Sequence, residues 1–243
     1  MKVIVCKNYE EMSAAAAEIV ADVMKAKPDC VLGLATGSTP VGMYKQLIGK
    51  NQSGEIDFSK VTTVNLDEYY PISPENDQSY RYFMNQNLFD HVNVDKTRTF
   101  VPDGQAPDPV AACEAYEETV AAVGPADIQV LGIGQNGHIG FNEPAAALIA
   151  DTHVTDLTAD TINANSRFFA SENEVPKRAM TMGVGTIMAS RKIVVMASGE
   201  GKRAAIAALL GDVVDTNVPV TLLKLHRDVT LICDEAAWPG DEV

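Results

Sequence analysis

Basic residues, histidine and tryptophan are all scarce in this 243-residue chain. Lys and Arg number 19 against 33 Asp and Glu, which leaves a formal charge of −14 at pH 7. So acidic a balance argues against duplex DNA or an anionic membrane as partner, because both demand a basic face. The four histidines are scattered, so neither a zinc site nor any other metal is expected. The cysteines, Cys6, Cys30, Cys113 and Cys233, lie far apart with no C-x-x-C pair. They read as buried thiols of a reducing compartment rather than a disulfide framework. No apolar run approaches the ~18 residues of a membrane span. The apolar run in MKVIVCKNYEE is too short for a signal-peptide core, so a cytoplasmic location is expected.

What the chain does have is strand-like text alternating with helical text almost throughout. Lys2–Cys6 reads as a first strand, and Asn8 with Glu11 forms a capping box for a helix to about Ala26. Cys30–Ala35 is a second strand, followed by a glycine turn and a helix from Pro40 to about Ile48, with Pro40 at the first helical position. Val61–Leu66 is a third strand. A polar loop from Asp67 to Gln78 then leads to a helix over Tyr80–Phe89.

Asp108-Pro109 opens a helix through Ala122, and Asp127–Ile133 is a nearly continuous apolar strand. From Ala145 to Glu174 the pattern turns irregular and polar. Ala179–Met182, Lys192–Ala197 and Val229–Cys233 are further strands, with helices near Val184–Ser190 and Gly201–Leu210; Val218–His226 fits either state. Such alternation predicts an α/β fold: a doubly wound, mostly parallel sheet with helices on both faces, Rossmann-like. With no repeat, low-complexity tract or linker, residues 1–243 read as one domain. Ligands of such sheets bind beyond the carboxyl ends of the strands, so the chemistry is sought in the βα loops.

Three loops stand out. In Gly33-Leu-Ala-Thr-Gly-Ser-Thr-Pro40, Gly37 permits a tight turn, and Ser38 and Thr39 offer hydroxyls before a helix start. That is an anion cradle suited to phosphate. It lacks the Walker lysine and the G-x-G-x-x-G spacing, so neither ATP nor NAD is implied; a plain capped turn has the same text. In Asn65-Leu-Asp-Glu-Tyr-Tyr70 a strand ends in two carboxylates. Shielded by the tyrosines, Asp67 could serve as a general base; left in water, it would be an ordinary turn residue. In Gly132-Ile-Gly-Gln-Asn-Gly-His-Ile-Gly-Phe-Asn-Glu-Pro144, His138 lies among glycines, with Glu143 placed to orient it and stabilise its charged form. Arg167 in NSRFF and Lys202 in SGEGK are candidate phosphate cations, with a surface role as the plainer reading.

Taken together, GLATGSTP, NLDEYY, GIGQNGHIGFNEP, ANSRFF with VPKRAMTMGVGTI, SGEGK, LKLH and CDE resemble the glucosamine-6-phosphate deaminase (isomerase) family. The pieces run in the family's order over nearly the whole chain. The resemblance implies a fold of the deaminase/phosphogluconolactonase type. It also implies conversion of glucosamine 6-phosphate and water into fructose 6-phosphate and ammonia, with no cofactor. By that resemblance Asp67 moves a proton between C2 and C1, and His138, assisted by Glu143, opens the pyranose ring. Gly37, Ser38, Thr39, Arg167 and Lys202 hold the phosphate, and residues 145–174 form a lid. Asn136 occupies a position where some members have Asp; it can hydrogen-bond the imidazole or the sugar but adds no negative charge. Monomer and homo-oligomer both remain open.

Two other functions fit parts of this text. A 6-phosphogluconolactonase-like hydrolase shares the fold and a G-x-G-x-x-G-H loop, but it continues differently after the histidine. A sugar-phosphate-sensing regulatory domain would need no acid/base residues, and here they are intact. The acidic balance also hides a local reversal. From Arg167 to Arg203 there are seven basic and three acidic residues, a segment charge of +4. One phosphate needs only two well-placed cations and a helix end.

Overall fold

In the computed structural model residues 1–158, 161–162 and 175–240 are described. Seven parallel strands form the main sheet in the order β1-β10-β9-β6-β2-β3-β5. They are β1 (Lys2–Cys6), β2 (Val31–Leu34), β3 (Thr62–Asn65), β5 (Thr99–Phe100), β6 (Ile128–Gly132), β9 (Ile193–Ala197) and β10 (Val229–Asp234). Alternate residues of each inner strand feed two apolar layers. Leu32, Leu34, Ile128, Val130, Val194, Met196 and Ile232 pack with α1 (Tyr9–Ala26), α2 (Val41–Gln52) and α3 (Tyr80–Asn87). Val31, Leu131, Val195 and Leu231 face α4 (Pro109–Val123), α5 (Val184–Met188) and α6 (Arg203–Leu210) on the other side. This two-sided burial explains why the strands read as continuous apolar runs.

The chain leaves β2 toward β3 and β5, then returns to the other side of β2 with β6. The loops after β2 and β6 therefore flank the reversal of strand order. In open α/β sheets that crevice is where ligands bind.

A second sheet departs from the sequence reading. Asp67–Tyr70, expected as part of a polar loop, forms β4, and His153–Asp156, expected to be irregular, forms β7. Both pair antiparallel with β8 (Arg178–Thr181), so the strand expected near 179–182 lies outside the main sheet. The reason is packing: Tyr69, Ile72, Phe141, Leu157 and Ala179 bury a small core of their own under this sheet. DEYY and HVTD are too short and too polar to advertise it.

Smaller differences have local causes. Pro40 caps α2 rather than opening it, and the helix continues to Gln52. The Asn8 side chain accepts the Glu11 N–H at 2.9 Å, but Glu11 reaches Lys7 N instead of Asn8 N, shifting the box by one residue. The helix expected to reach Phe89 stops at Asn87, and Phe89–His91 continues as a 3-10 turn. The ambiguous 218–226 segment is a 3-10 helix over Pro219–Leu225. No helix among the described residues is long and apolar enough to cross a membrane.

Candidate active site

The β2 loop is held by its backbone. Gly37 has φ +86°, and nothing lies within 4 Å of a Cβ placed there, so conformation and not space demands glycine. Tyr9, at the start of α1, points its hydroxyl at the Ser38 and Thr39 carbonyls (3.0 and 3.1 Å) and accepts the Gly42 N–H at 2.8 Å. Gly42 is needed for this approach, since a Cβ would fall 2.2 Å from Ser13 Oγ. The Ser38 and Thr39 hydroxyls make no hydrogen bond among the described residues, and no side chain caps α2. Hydroxyls and a helix start thus remain available to an anion.

Lys202 enters from the turn before α6. Its Nζ donates to the Ile133 carbonyl at 2.6 Å, immediately after β6. A Cβ on Gly201 would lie 3.2 Å from the Gln135 side chain, so this turn packs onto the β6 loop. Because β6 pairs with β2, the lysine and the glycine turn emerge at adjacent strand ends. Arg167 lies outside the described residues, as do 159–160 and 163–174 of the expected lid.

Asp67 is the first residue of β4, opposite Thr181 of β8, and is 6% exposed. Its carboxyl group makes no hydrogen bond among the described residues. Burial, and then the neighbouring Glu68 carboxyl, push it up to about 8. Tyr44, Tyr69, Tyr80 and Tyr116 lie close enough to feel its charge. Tyr44 and Tyr116 are themselves fixed by the Ala35 and Asn65 carbonyls. Tyr70, counted as a shield from its place in the sequence, faces away: its hydroxyl bonds to the Ala106 carbonyl and Arg178 stacks on its ring. Alternation along β4 separates the two tyrosines.

His138 stands in the loop after β6. Its Nδ1 is 3.2 Å from Glu143 Oε1, a charge contact without the alignment of a full hydrogen bond. Glu143 Oε1 also accepts the Thr161 hydroxyl at 2.7 Å, and Oε2 accepts Asn136 Nδ2 at 2.7 Å. Asn136 Oδ1 in turn accepts the His138 backbone N–H at 3.1 Å. Partial burial raises the Glu143 carboxyl, but His138, Thr161 and Asn136 outweigh it and bring it down to about 2. Asn136 therefore acts on the carboxylate and the loop backbone rather than on the imidazole ring.

Glycines set the distances. A Cβ on Gly134 would come within 2.5 Å of the His138 ring. One on Gly140 would lie 3.7 Å from Asp67 Oδ2 and 2.8 Å from Thr181 Oγ1, which joins the histidine loop to the carboxyl group. The desolvated Asp67 carboxyl group of β4 thus lies against the loop that carries the His138–Glu143 pair, beside an anion cradle. Sequence reasoning missed Thr161, Tyr9, Tyr44 and Tyr116. Nothing in a threonine within polar text, or in an aromatic residue of an amphipathic helix, signals such partners. Among the described residues no group of three or more His, Cys, Asp or Glu is placed to hold a metal ion.

Comparison with known proteins shows the family and the fold. The family model for glucosamine-6-phosphate isomerases/6-phosphogluconolactonase matches residues 7–232. A Clostridium perfringens protein named glucosamine-6-phosphate deaminase is 56% identical over 237 residues, 98% of each chain. A Thermoanaerobacter protein of the same name is 55% identical, over 98% of this chain and 94% of its own. A solved structure described as a monomeric glucosamine-6-phosphate deaminase superposes with a TM-score of 0.95 at 47% identity, covering 98% of both chains. A 6-phosphogluconolactonase from Trypanosoma brucei superposes with a TM-score of 0.78 at 18% identity, covering 97% of both chains, and so shares the fold. With matches of that length and identity, the chain belongs to the glucosamine-6-phosphate isomerase/6-phosphogluconolactonase family, among its glucosamine-6-phosphate deaminases.

Proposed function

We propose that the chain converts glucosamine 6-phosphate and water into fructose 6-phosphate and ammonia, with Asp67 as the base and the His138–Glu143 pair as the ring-opening group. The observation that supports this most is Asp67: a buried carboxyl group with no hydrogen bond among the described residues, lying against Gly140 of the histidine loop.

The chemistry follows from what these groups can do. The phosphate is held by the Ser38 and Thr39 hydroxyls, the start of α2, Lys202 and, by the family pattern, Arg167. Binding that distant group fixes the reacting carbons against the base. His138 exchanges a proton with the ring oxygen, and Glu143 stabilises the imidazolium that forms. Asp67 then takes the C2 proton of the open aldehyde and returns it to C1, while the C2 nitrogen gives up one proton, an equivalent of which reaches the C1 oxygen. The product is a C1 alcohol with a C2 imine. Water adds to the imine carbon, ammonia leaves and the ketone remains, so atoms balance with no redox partner.

On this reading residues 1–243 act as one catalytic unit on a small sugar phosphate in the cytoplasm, without nucleic acid or membrane. A coupled assay for ammonia and fructose 6-phosphate tests it, with 6-phosphogluconolactone as the competing substrate. Equimolar release of both products is expected. Lactone hydrolysis without ammonia would instead assign the other branch of the family, and binding without turnover would assign a sensor.

A further inference from the structure

Glu68, next to the proposed base, points to the other side of β4. It is 2% exposed, yet among the described residues no cationic side chain hydrogen-bonds to it. The Arg81 guanidinium, which could have paired with it, turns to the Thr99 hydroxyl and carbonyl at 2.8 and 2.7 Å. Glu68 binds backbone amides instead. Oε1 accepts from Tyr69 N (2.9 Å) and Tyr80 N (2.8 Å), and Oε2 accepts from Arg81 N (2.9 Å). Tyr80 and Arg81 are the first two residues of α3, whose own cap is Ser79, accepting Tyr82 N at 3.0 Å. The helix therefore has an ordinary cap and, in addition, a buried carboxylate on its remaining free amides.

We propose that Glu68 is a positioning residue for Asp67: its carboxylate ties β4 to the first turn of α3, fixes the register that turns Asp67 toward the histidine loop, and keeps a negative charge beside it. A helix that needed only capping is already served by Ser79. Burying a carboxylate is costly, and using amides instead of a cation leaves its charge acting on its neighbours. The groups facing the two carboxyls are Tyr44 from α2, Tyr69 within β4, Tyr80 and Arg81 from α3, and Tyr116 from α4. Of these only Arg81 is cationic, and it is committed to Thr99. Burial raises the Glu68 carboxyl to about 7 against the pull of its three amides, while its charge adds to the burial that raises Asp67.

The inference rests on Asp67 being the base, and one experiment separates the two ideas. The pH profile of kcat/KM for glucosamine 6-phosphate is measured for the wild type, Glu68→Gln, Glu68→Asp and Ser79→Ala, with Tm alongside. An acidic limb that persists unchanged in Asp67→Asn would count against the base assignment itself. If that assignment holds, Glu68→Gln is expected to move the acidic limb down by about one pH unit, because the like charge is gone. Ser79→Ala is expected to lower Tm and leave the limb in place. Should Glu68→Gln fail to fold, Glu68→Asp decides: it keeps the charge with a shorter reach, so the limb should stay while Tm falls. An unmoved limb in Glu68→Gln, an equal movement in Ser79→Ala, or a limb lowered in Glu68→Asp would reduce Glu68 to a helix cap and overturn the proposal.

Discussion

Thr161 donates its hydroxyl to Glu143 at 2.7 Å, on the oxygen that faces His138 at 3.2 Å. The donor helps hold Glu143 ionised, and an ionised Glu143 is what an imidazolium at position 138 needs as its partner. Thr161→Val keeps the shape and removes the donor. Hydrogen bonds to charged groups contribute roughly 1.5–3 kcal/mol. A fall in kcat of about tenfold is therefore expected, with KM little changed. Steady-state kinetics checks this, and an unaltered kcat would show that Asn136 and His138 suffice.

The proposed base should trade stability for activity. Asp67 stands near 3.9 in an unfolded chain and at about 8 in the folded one, so the folded form binds its proton more tightly. Its contribution to stability is complete below about pH 4 and is lost as pH rises through about 8. Asp67→Asn escapes that loss. It should lower turnover by ~10²–10⁴-fold and leave analogue binding nearly intact. It should also raise Tm by about 5 °C at pH 9 and by nothing at pH 4. Thermal unfolding at both values checks the sign. For catalysis the sign is reversed: kcat/KM of the wild type should rise with pH up to about 8, as the base ionises.

Glu143 has the opposite linkage. Its carboxyl is held down to about 2, so the stability it lends is present above its unfolded value near 4.3 and is lost as pH falls toward 2. Half-buried, it is partly screened by water, and the effect is smaller than the shift alone suggests. Glu143→Gln should flatten the acid side of the Tm curve between about pH 4 and 2, and lower kcat at neutral pH through loss of the imidazolium's partner. Parallel Tm curves for the two proteins would separate Glu143 from the acid unfolding.

Much of this architecture was legible because its causes are local. The Asp108 cap, the apolar run through β6 and the glycines of the β2 and β6 loops each depend on a few neighbouring residues, and each lies within a residue or two of where the sequence puts it. What escaped depends on distant partners. DEYY becomes a strand only because RAMT, more than a hundred residues later, pairs with it. Tyr9 clamps a loop 29 and 30 residues away, and Tyr116 reaches a carbonyl 51 residues back. Asp67 and His138 could be singled out from their places after strands. That a glycine at 140 brings the histidine loop up to Asp67 of β4 could not, because it depends on the second sheet.

Gly134 offers a test of how closely the histidine loop is fitted. Its N–H donates to the His138 carbonyl at 2.9 Å, and its carbonyl accepts the Gly137 N–H at 3.1 Å, so the loop closes on itself around this residue. A Cβ there would meet ring atoms of His138 at 2.5–2.6 Å, well inside contact distance. Something must give, and the imidazole, itself only partly buried, moves more easily than the backbone ring. Gly134→Ala should therefore displace the ring from Glu143 at little cost to the fold. A misplacement of about 1 Å can lower a rate ~10²-fold. The expected outcome is a kcat reduced by about that factor, a Tm within a few degrees of wild type and retained binding of a phosphate-bearing analogue, since the β2 loop is untouched. A large fall in Tm with proportionate loss of binding would show instead that the backbone yields and that the ring is the firmer of the two.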